Sequence, residues 1–549
     1  MSKIKIFGLG GLNDVGKNMY VVEVDNDMFV FDAGLKYADD RLLGVDYIIP
    51  DYSYLKDNVS RLKGIFITHG HDQQMGALVD IVNDIKDVKI YGTEFTLDVI
   101  KEDFVKEGLD TKNLNLIKPH KKINFGSVSI FPISLTHSVP ENVGYVINTK
   151  DGAIVYTGNF MFDPSMLGSY QTDIGKLAYI GKQGVLCLMS ESLYADRVGF
   201  TSPKHRTNKV MAETISRNEN RILVNVLGTQ LFRLQELFTE IEKCNRNVVI
   251  MGKSLLELVN KAIDKGFIEF NKEKILGINH VNDEGIIILI SDEREKPFSN
   301  LKRIIKGFDK FVKITPKDTV LIASVVYDGM ERTSTEVFDS IAKMGANLVI
   351  ISSKQYNSLH ASSEDLMLML NLMKPKYYFP VIGEYRHQVA NKEVALKIGM
   401  EEENILLKLN GEVVNITDGM LIDEGEKIKS DDILIDGKTV GDVGEIVLKD
   451  REQLSENGIL VVTVTIDKKT KEILAGPEIL TRGFIYVKDN IDLIKEIQAL
   501  ALSVITENKS DRFVDFNSIK TGLRDKIGKY LYQETECKPM ILSVIQEVE

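Results

Sequence analysis

At 549 residues the chain is too long for one hydrophobic core, and roughly two to four domains are expected. With 44% hydrophobic and 27% charged residues and no short-period repeat, the composition excludes a disordered or fibrous chain. The net charge of −12 excludes unselective nucleic-acid binding over the whole surface, but it is blind to a local basic channel.

The N-terminal segment MSKIKIFGLGGLNDVGKNMYVVEV alternates like a strand, without the basic stretch and apolar core of a secretion signal, and no apolar run is as long as a membrane span. Cys187, Cys244 and Cys537 lie far apart with no CxxC pair, so neither a disulfide framework nor a cysteine zinc site is expected. A cytoplasmic protein fits. Residues 1–195 carry many short β-like runs, among them NMYVVEV, MFVFDAG, GIFITHG, VSIFPISL, VGYVINT, AIVYTGN and VLCLMSE, the pattern of stacked sheets flanked by helices. From about 200 the rhythm changes to strand-helix alternation: RILVNVL, helical LFRLQELFTEIEKC, NVVIMG, helical SLLELVNKAI, then GIIILIS, DTVLIASVV and NLVIIS. This predicts a parallel α/β unit inserted into the first domain. After another strand, KYYFPVIG, comes a Gly- and Asp-rich stretch, and a charged segment near DREQLSENG reads as a linker. The remaining residues predict strands GILVVTVTID and GFIYVK, two amphipathic helices with faces at Ile494, Ile497, Ala501, Val504 and at Ile519, Leu523, Ile527, Leu531, and a last strand PMILSVI.

Residues able to do chemistry recur just past these apolar runs: Asp32 in FVFDAG, His69 and His71 in THGH, His137 in ISLTHSVP, Asn159 in VYTGN, Glu191 in CLMSES and His360 in NSLHAS. Ends of neighbouring strands converge in α/β folds, so one pocket is expected. Two histidines at a spacing of two make a plausible ligand pair, yet Gln73 and Gln74 follow them, and neutral amides bind metals poorly beside imidazole and carboxylate. Ser362-Ser363-Glu364-Asp365 matches a capping box and predicts a helix start with free N–H groups that attract phosphate. His205, His280 and His387 have no motif context and read as surface or structural.

Taken together, GLGGLNDVGKNMYVVE, FDAGLK, THGH, LTHSVPENVGY, TGNFMFD and LHASSEDLMLMLNLMKPKYYFPVIGEYR resemble the ribonuclease J family end to end, closest to its catalytically degenerate second paralogue in some Gram-positive bacteria. The resemblance implies an α/β fold: a metallo-β-lactamase αββα sandwich with an inserted β-CASP α/β domain and a small C-terminal α+β domain. The corresponding boundaries are 1–195 and 363–440 for the sandwich, 196–362 for the insertion, 441–457 for a linker and 458–549 for the last domain.

It further implies His69, His71 and His137 as ligands of one ion, Zn2+ or Mn2+. The family's second motif is His-x-His-x-Asp-His, followed by single ligands His, Asp and His. Here Gln73 stands for the Asp, Gln74 for the His, Asn159 for the bridging Asp and Ile382 for the last His. Two lost carboxylates leave the repulsion between two dications poorly offset, so at most one ion per subunit, or none, is expected. Glu191, His360 and Asp32 are the implied candidate catalytic residues, with His360 assisting the leaving group. Tyr356, Asn357, Ser358, Leu359, His360 and Ser362 are the implied RNA phosphate contacts, Leu359 standing where the family has glycine. The segment ISDEREKPFS replaces a glycine-containing family sequence and implies altered RNA handling.

The implied function is that of an RNA-binding and assembly subunit working with an active ribonuclease J in mRNA turnover and rRNA maturation. The family reaction is 5'-to-3' exonucleolysis, with endonucleolytic cleavage as well. The alternative is a weak single-metal 5'-to-3' exoribonuclease in its own right. The implied partners are 5'-monophosphorylated RNA, an active paralogue, and a second copy or hetero-oligomer through the C-terminal domain, with no membrane.

Overall fold

The structure, a computed structural model, describes residues 2–548 apart from 40–41, 293–297, 325, 327–329, 423–424, 438, 441–444, 486–489 and 509–514. Two compact units result, one of residues 1–39 and 47–433, the other of 40–46 and 434–549. In the first, two mixed sheets stack face to face. One runs from Met420–Ile422 through Val414–Thr417, Lys3–Gly10, Met19–Val24, Asp27–Phe31, Leu62–Phe66 and Ile90–Gly92 to Leu114–Leu116. The other runs from Tyr377–Val381 through Val185–Glu191, Gly152–Tyr156, Val143–Thr149 and Val128–Ser134 to Ile123–Phe125.

Strand alternation explains the stacking: Ile4, Ile6, Tyr20, Val22, Phe29 and Phe31 of the first sheet meet Ile130, Tyr145, Ile147, Ile154, Met189 and Phe379 of the second in one water-free core. The outer face of the second sheet is covered by the helices Ile174–Gln183, Ser363–Met373 and Tyr385–Lys397. The strand Tyr377–Val381 pairs in parallel with Val185–Glu191, so the chain leaves the sandwich after Glu191 and returns beside its point of departure.

The excursion forms a six-stranded parallel sheet. Its order is Ile275–Leu276, Val248–Met251, Ile287–Ile290, Ile222–Asn225, Thr319–Ile322 and Asn347–Ile350. Its strands are apolar on both faces, as a sheet covered twice requires. The helices Asn208–Arg217, Leu231–Lys243 and Lys253–Asp264 pack on one face, and Ser299–Ile305 and Glu331–Lys343 on the other. Residues 293–297 of the segment ISDEREKPFS lie outside the described residues.

In the second unit, the strand Ile459–Asp467 lies between Ile473–Arg482 and Met540–Val548. Leu460, Val462, Val464 and Ile466 pack on the helices Ile491–Glu507 and Phe516–Thr535. Two expectations are corrected here. The expected strand GFIYVK is not seen at Gly483 to Ile485, which are irregular, while 486–488 lie outside the described residues; the strand paired with Ile459–Asp467 is the unexpected Ile473–Arg482. Gly476-Pro477 hides that strand from the sequence, because proline cannot donate to a ladder; a register shift between Thr463 and Thr465 accommodates it.

The expected linker 441–457 instead carries the helix Glu445–Asn457. EIVLKDREQLSEN is built of strong helix formers with no glycine or proline before Gly458, and it is tied to the same unit by Gln453 Nε2 donating to Lys538 O and Lys538 N–H donating to Asn457 Oδ1. Among the described residues, no helix is long and apolar enough to cross a membrane.

The turn FDAGLK is laced to the segment after THGH. Ala33 N–H donates to Gln74 O at 2.6 Å, Leu35 N–H to Asp72 O at 2.9 Å and Asn18 N–H to Gln73 O at 3.2 Å. A Cβ on Gly34 would lie 1.6 Å from Gln73 O, so only glycine fits this approach. Gly34→Ala is therefore expected to push residues 72–74 away and to cost about 1–3 kcal/mol or more through overpacking. The thermal midpoint, read against the parent, checks this; an unchanged midpoint would mean that the loop yields freely.

Candidate metal centre

Three histidines converge where the strands of both stacked sheets end. His69 and His71 follow Leu62–Phe66 and His137 follows Val128–Ser134. One ring nitrogen from each lies within 4.8 Å of the others, and the ring centroids are 4.6, 4.6 and 5.2 Å apart. Their second nitrogens set the tautomers. Thr68 Oγ1 lies 3.0 Å from His69 Nδ1, and His137 Nδ1 donates to Leu359 O at 2.7 Å, so each presents Nε2. His71 presents Nδ1, 3.1 Å from His69 Nε2, with its own Nε2 3.4 Å from Ser138 Oγ. Burial, and then repulsion from neighbouring imidazoles, holds all three pKa values down, that of His71 to about 3, so the rings are neutral, the form able to bind a metal.

Behind them sits Asp32, fully buried, in the left-handed backbone region that aspartate tolerates. Its carboxylate accepts from Thr68 N–H at 2.8 Å, Thr68 Oγ1 at 2.9 Å and Tyr156 OH at 2.7 Å. Burial pushes its pKa up to about 7 in spite of those donors. Because Thr68 donates its one hydroxyl proton to Asp32, its lone pair accepts from His69 Nδ1. Asp32 is thus linked to His69 through Thr68 and is not part of the group of ring nitrogens within reach of one ion. Sequence reading passed over Thr68 and Tyr156, since a hydroxyl between a carboxylate and an imidazole has no spacing signature.

The positions expected to be degenerate also end strands or open helices here. Gln74 is fully buried, and both polar atoms of its amide lack a hydrogen-bond partner among the described residues; Asn159 Oδ1 and His137 Nε2 share that condition. Orphaned buried polar atoms call for an ion or water. The donor set suits one ion at His69, His71 and His137. At the positions that correspond to the family's further ligands stand Gln74 and Asn159, neutral amides that bind metals poorly, and the apolar Ile382, whose side chain packs in the core between the sheets. Gln73 is half-buried and contributes its backbone carbonyl to Asn18.

Glu191 is fully buried and fully engaged. Oε2 accepts from His360 Nδ1 at 2.8 Å, and Oε1 accepts from Phe160 N–H at 2.6 Å and Ala361 N–H at 3.1 Å. It orients His360, whose ring lies 5.3 Å from that of His137. On the other side of His360, at the same centroid distance of 5.3 Å, stands Tyr194, with the Arg197 guanidinium stacked 3.4 Å over its ring. Arg197 also donates to Asn357 Oδ1 at 3.2 Å. Neither residue was singled out from sequence.

The helix Ser363–Met373 starts where the capping box predicts, with Ser362 N–H donating to Asp365 Oδ2 at 3.1 Å. Its amides, expected to be free for phosphate, are not: Ser363 N–H donates to Arg197 O at 3.0 Å and Glu364 N–H to Gly199 O at 3.4 Å. Ser362 itself is buried against Thr201 Oγ1. Tyr356, Asn357, Ser358 and His360 are half-buried, and Leu359 packs its side chain among Met161, Met166, Tyr170 and Phe232. Of the histidines without motif context, His205 and His387 are buried and His280 is half-buried beside Asp283.

Three family profiles match this chain: a beta-lactamase superfamily domain over residues 29–174, the ribonuclease J beta-CASP domain over 219–341 and the ribonuclease J C-terminal domain over 446–548. "Ribonuclease J2" of Bacillus subtilis (strain 168) is 37% identical over 99% of both chains. The chain belongs to the ribonuclease J family. "Ribonuclease J 2" of Staphylococcus aureus (strain NCTC 8325 / PS 47) is 36% identical over 99% of this chain and 98% of its own. A crystal structure of a protein of unknown function from Enterococcus faecalis V583 covers 75% of this chain and 100% of its own at a TM-score of 0.52 and 16% identity, a likeness of fold alone.

The hydrogen-bond chain from Asp32 through Thr68 to His69 generates a test within this ribonuclease J fold. Thr68→Val keeps the shape but removes the hydroxyl, freeing the His69 tautomer; metal affinity is expected to fall by about 10–100-fold. Competitive titration against a chromogenic chelator measures it, and equal affinity in parent and variant would remove Thr68 from the ligand's support.

Proposed function

We propose that this chain is an RNA-binding and assembly subunit of a ribonuclease J complex, with one metal site of reduced chemistry. The observation that carries this reading is the donor set. Three buried, neutral histidines lie within reach of one ion, while the positions that correspond to the family's further ligands hold Gln73, Gln74, Asn159 and Ile382, none of them charged. An ion at His69, His71 and His137, zinc or manganese, would supply a Lewis acid when bound. Hydrolysis by a two-ion route also needs the second charge, and nothing in the donor set replaces it.

The chain's own residues keep the capacity to hold RNA. Glu191 aims His360 toward the histidine cluster, and Asn357, Ser358, Arg197 and Tyr194 surround it with donors and a stacking face. With the helix amides already used, an RNA phosphate would be held by side chains. The intact Glu191–His360 pair favours a second reading, a weak single-metal 5'-to-3' exoribonuclease with His360 as acid. Work alongside an active paralogue, in mRNA turnover and rRNA maturation, is part of the proposal, as are 5'-monophosphorylated RNA as ligand, self- or hetero-association through the C-terminal domain, and a cytoplasmic setting.

Elemental analysis and an exonuclease assay on one preparation separate the readings. At most one ion per subunit and trace activity or none are expected, and a mixed complex should elute when the chain is co-expressed with an active ribonuclease J. Turnover that dies in His69→Ala would support the second reading instead. The combined change Gln73→Asp, Gln74→His, Asn159→Asp and Ile382→His should restore a second ion and disproportionately more activity than any single change, because such groups act as a unit. If that variant folds and binds two ions yet stays inactive, the defect lies in RNA handling and not in the metal site.

A further inference from the structure

On the inserted parallel sheet, the stretch KRIIKGFDKFVKITPK carries Lys302, Arg303, Lys306, Lys310, Lys313 and Lys317 against the single carboxylate of Asp309, in a chain whose net charge is −12. Lys306, Lys310, Lys313 and Lys317 are exposed. Between them Phe308 is 74% exposed and Phe311 54% exposed. Two large aromatic rings left in water within one short loop need a reason, since burial is their default.

The loop is held in this state by hydrogen bonds. Asp309, itself buried, accepts from Phe311 and Val312 N–H, both at 2.9 Å, and from Arg303 Nη2 at 2.8 Å. Phe308 N–H closes back on Arg303 O at 3.0 Å. Farther on, Arg221 donates to Lys313 O at 2.6 Å while paired with Asp318 at 2.7 Å. Val312 is buried beneath. The only carboxylate of the stretch is thus turned inward and neutralised, and both phenylalanines are fixed outward. Asp283 and Glu284 are exposed next to Val281 and Asn282, which Arg221 also holds, and they mark the edge of the patch on that side.

The patch is separate from the pocket at His360. The loop leads into the N-terminal end of Thr319–Ile322. By contrast, the helix Leu231–Lys243 follows the C-terminal end of the parallel strand Ile222–Asn225, and its Phe232 N–H donates to Ser138 O beside the histidines. The two surfaces lie at opposite ends of the sheet.

We propose that the Phe308–Lys317 loop with Lys302 and Lys306 is a second contact for single-stranded RNA, sequence-tolerant and outside the histidine pocket. This deepens the reading of the chain as an RNA-binding subunit and rests on it. Lysines match the phosphate backbone by charge, and exposed rings stack on unpaired bases whatever their identity. A duplex, with its bases stacked inside, offers the rings no partner. An acidic protein segment would match the lysines but has no bases to stack.

Fluorescence anisotropy of a 3'-labelled, 5'-monophosphorylated oligouridylate at several salt concentrations tests this with three variants of the full chain. Phe308→Ser with Phe311→Ser should weaken binding about tenfold or more. Lys306→Glu with Lys310→Glu should flatten the dependence of log affinity on log salt by about 1 or more. His360→Ala should leave both effects measurable. All changed side chains of the patch are exposed, and melting temperatures equal to the parent's establish that they fold. If the parent binds RNA and both patch variants match it in affinity and salt slope, the patch proposal falls while RNA binding stands. A parent that does not bind overturns both. Patch variants that keep RNA affinity but lose association with a protein partner assign the face to protein and also overturn it.

Discussion

A carboxylate shut away from water organises this molecule's chemistry. Asp32 accepts hydrogen bonds from Thr68, which follows the strand Leu62–Phe66 of one sheet, and from Tyr156, which ends the strand Gly152–Tyr156 of the other. An unsatisfied buried donor costs about 1–3 kcal/mol, so each of these groups depends on the others' staying in place. The THGH segment is thereby tied to the second sheet, Tyr145 OH adding a bond to Ile67 O at 2.6 Å. His69 inherits its ring orientation from the same hydroxyl that serves Asp32. The histidine pocket is a consequence of two sheets sharing one buried carboxyl group.

Ile382 shows the scaffold and the ligand set separating. A β-branched residue at φ +55° is strained, at a cost of about 1–3 kcal/mol, whereas histidine, which the family motif has at this position, is among the residues enriched there. The turn persists because Tyr20 OH accepts from Ile382 N–H and Ile382 O accepts from Ser192 N–H, and because the side chain gains the core between the sheets. The backbone thus keeps a conformation suited to a ligand, while the side chain has become part of the packing. Gln74 is the polar counterpart: it is buried, but carries an uncharged amide without a hydrogen-bond partner among the described residues.

The surroundings of His360 follow a different logic. Glu191 spends one oxygen on His360 and the other on the backbone amides of Phe160 and Ala361, so it is a bracket between the sandwich and the returning chain. The helix amides behind Ser362 are closed by carbonyls of Arg197 and Gly199. What remains open to a ligand is side-chain chemistry, chiefly the stacked Tyr194 and Arg197. This surface and the donor set of the three histidines are what the proposed role in holding RNA rests on.

The periodicity of runs such as MFVFDAG and NVVIMG determined the element types, because a period of two and apolar runs in alternation with helices leave few other folds. The convergence of His69, His71 and His137 was legible for the same reason, since they sit in short motifs at strand ends. Hairpin pairing around Gly476-Pro477 and the helix Glu445–Asn457 were not, since local composition there points away from the structure that packing favours. Nor could sequence reveal that Thr68 links Asp32 to His69, that the Ser363 and Glu364 amides are occupied, or that Phe308 and Phe311 face water. Those facts depend on atoms distant in the chain, and only tertiary structure decides which donor meets which acceptor and which apolar ring is left outside. The sequence by itself determined the kinds of residue present at each strand end; the packing of two sheets decided which of them share a pocket.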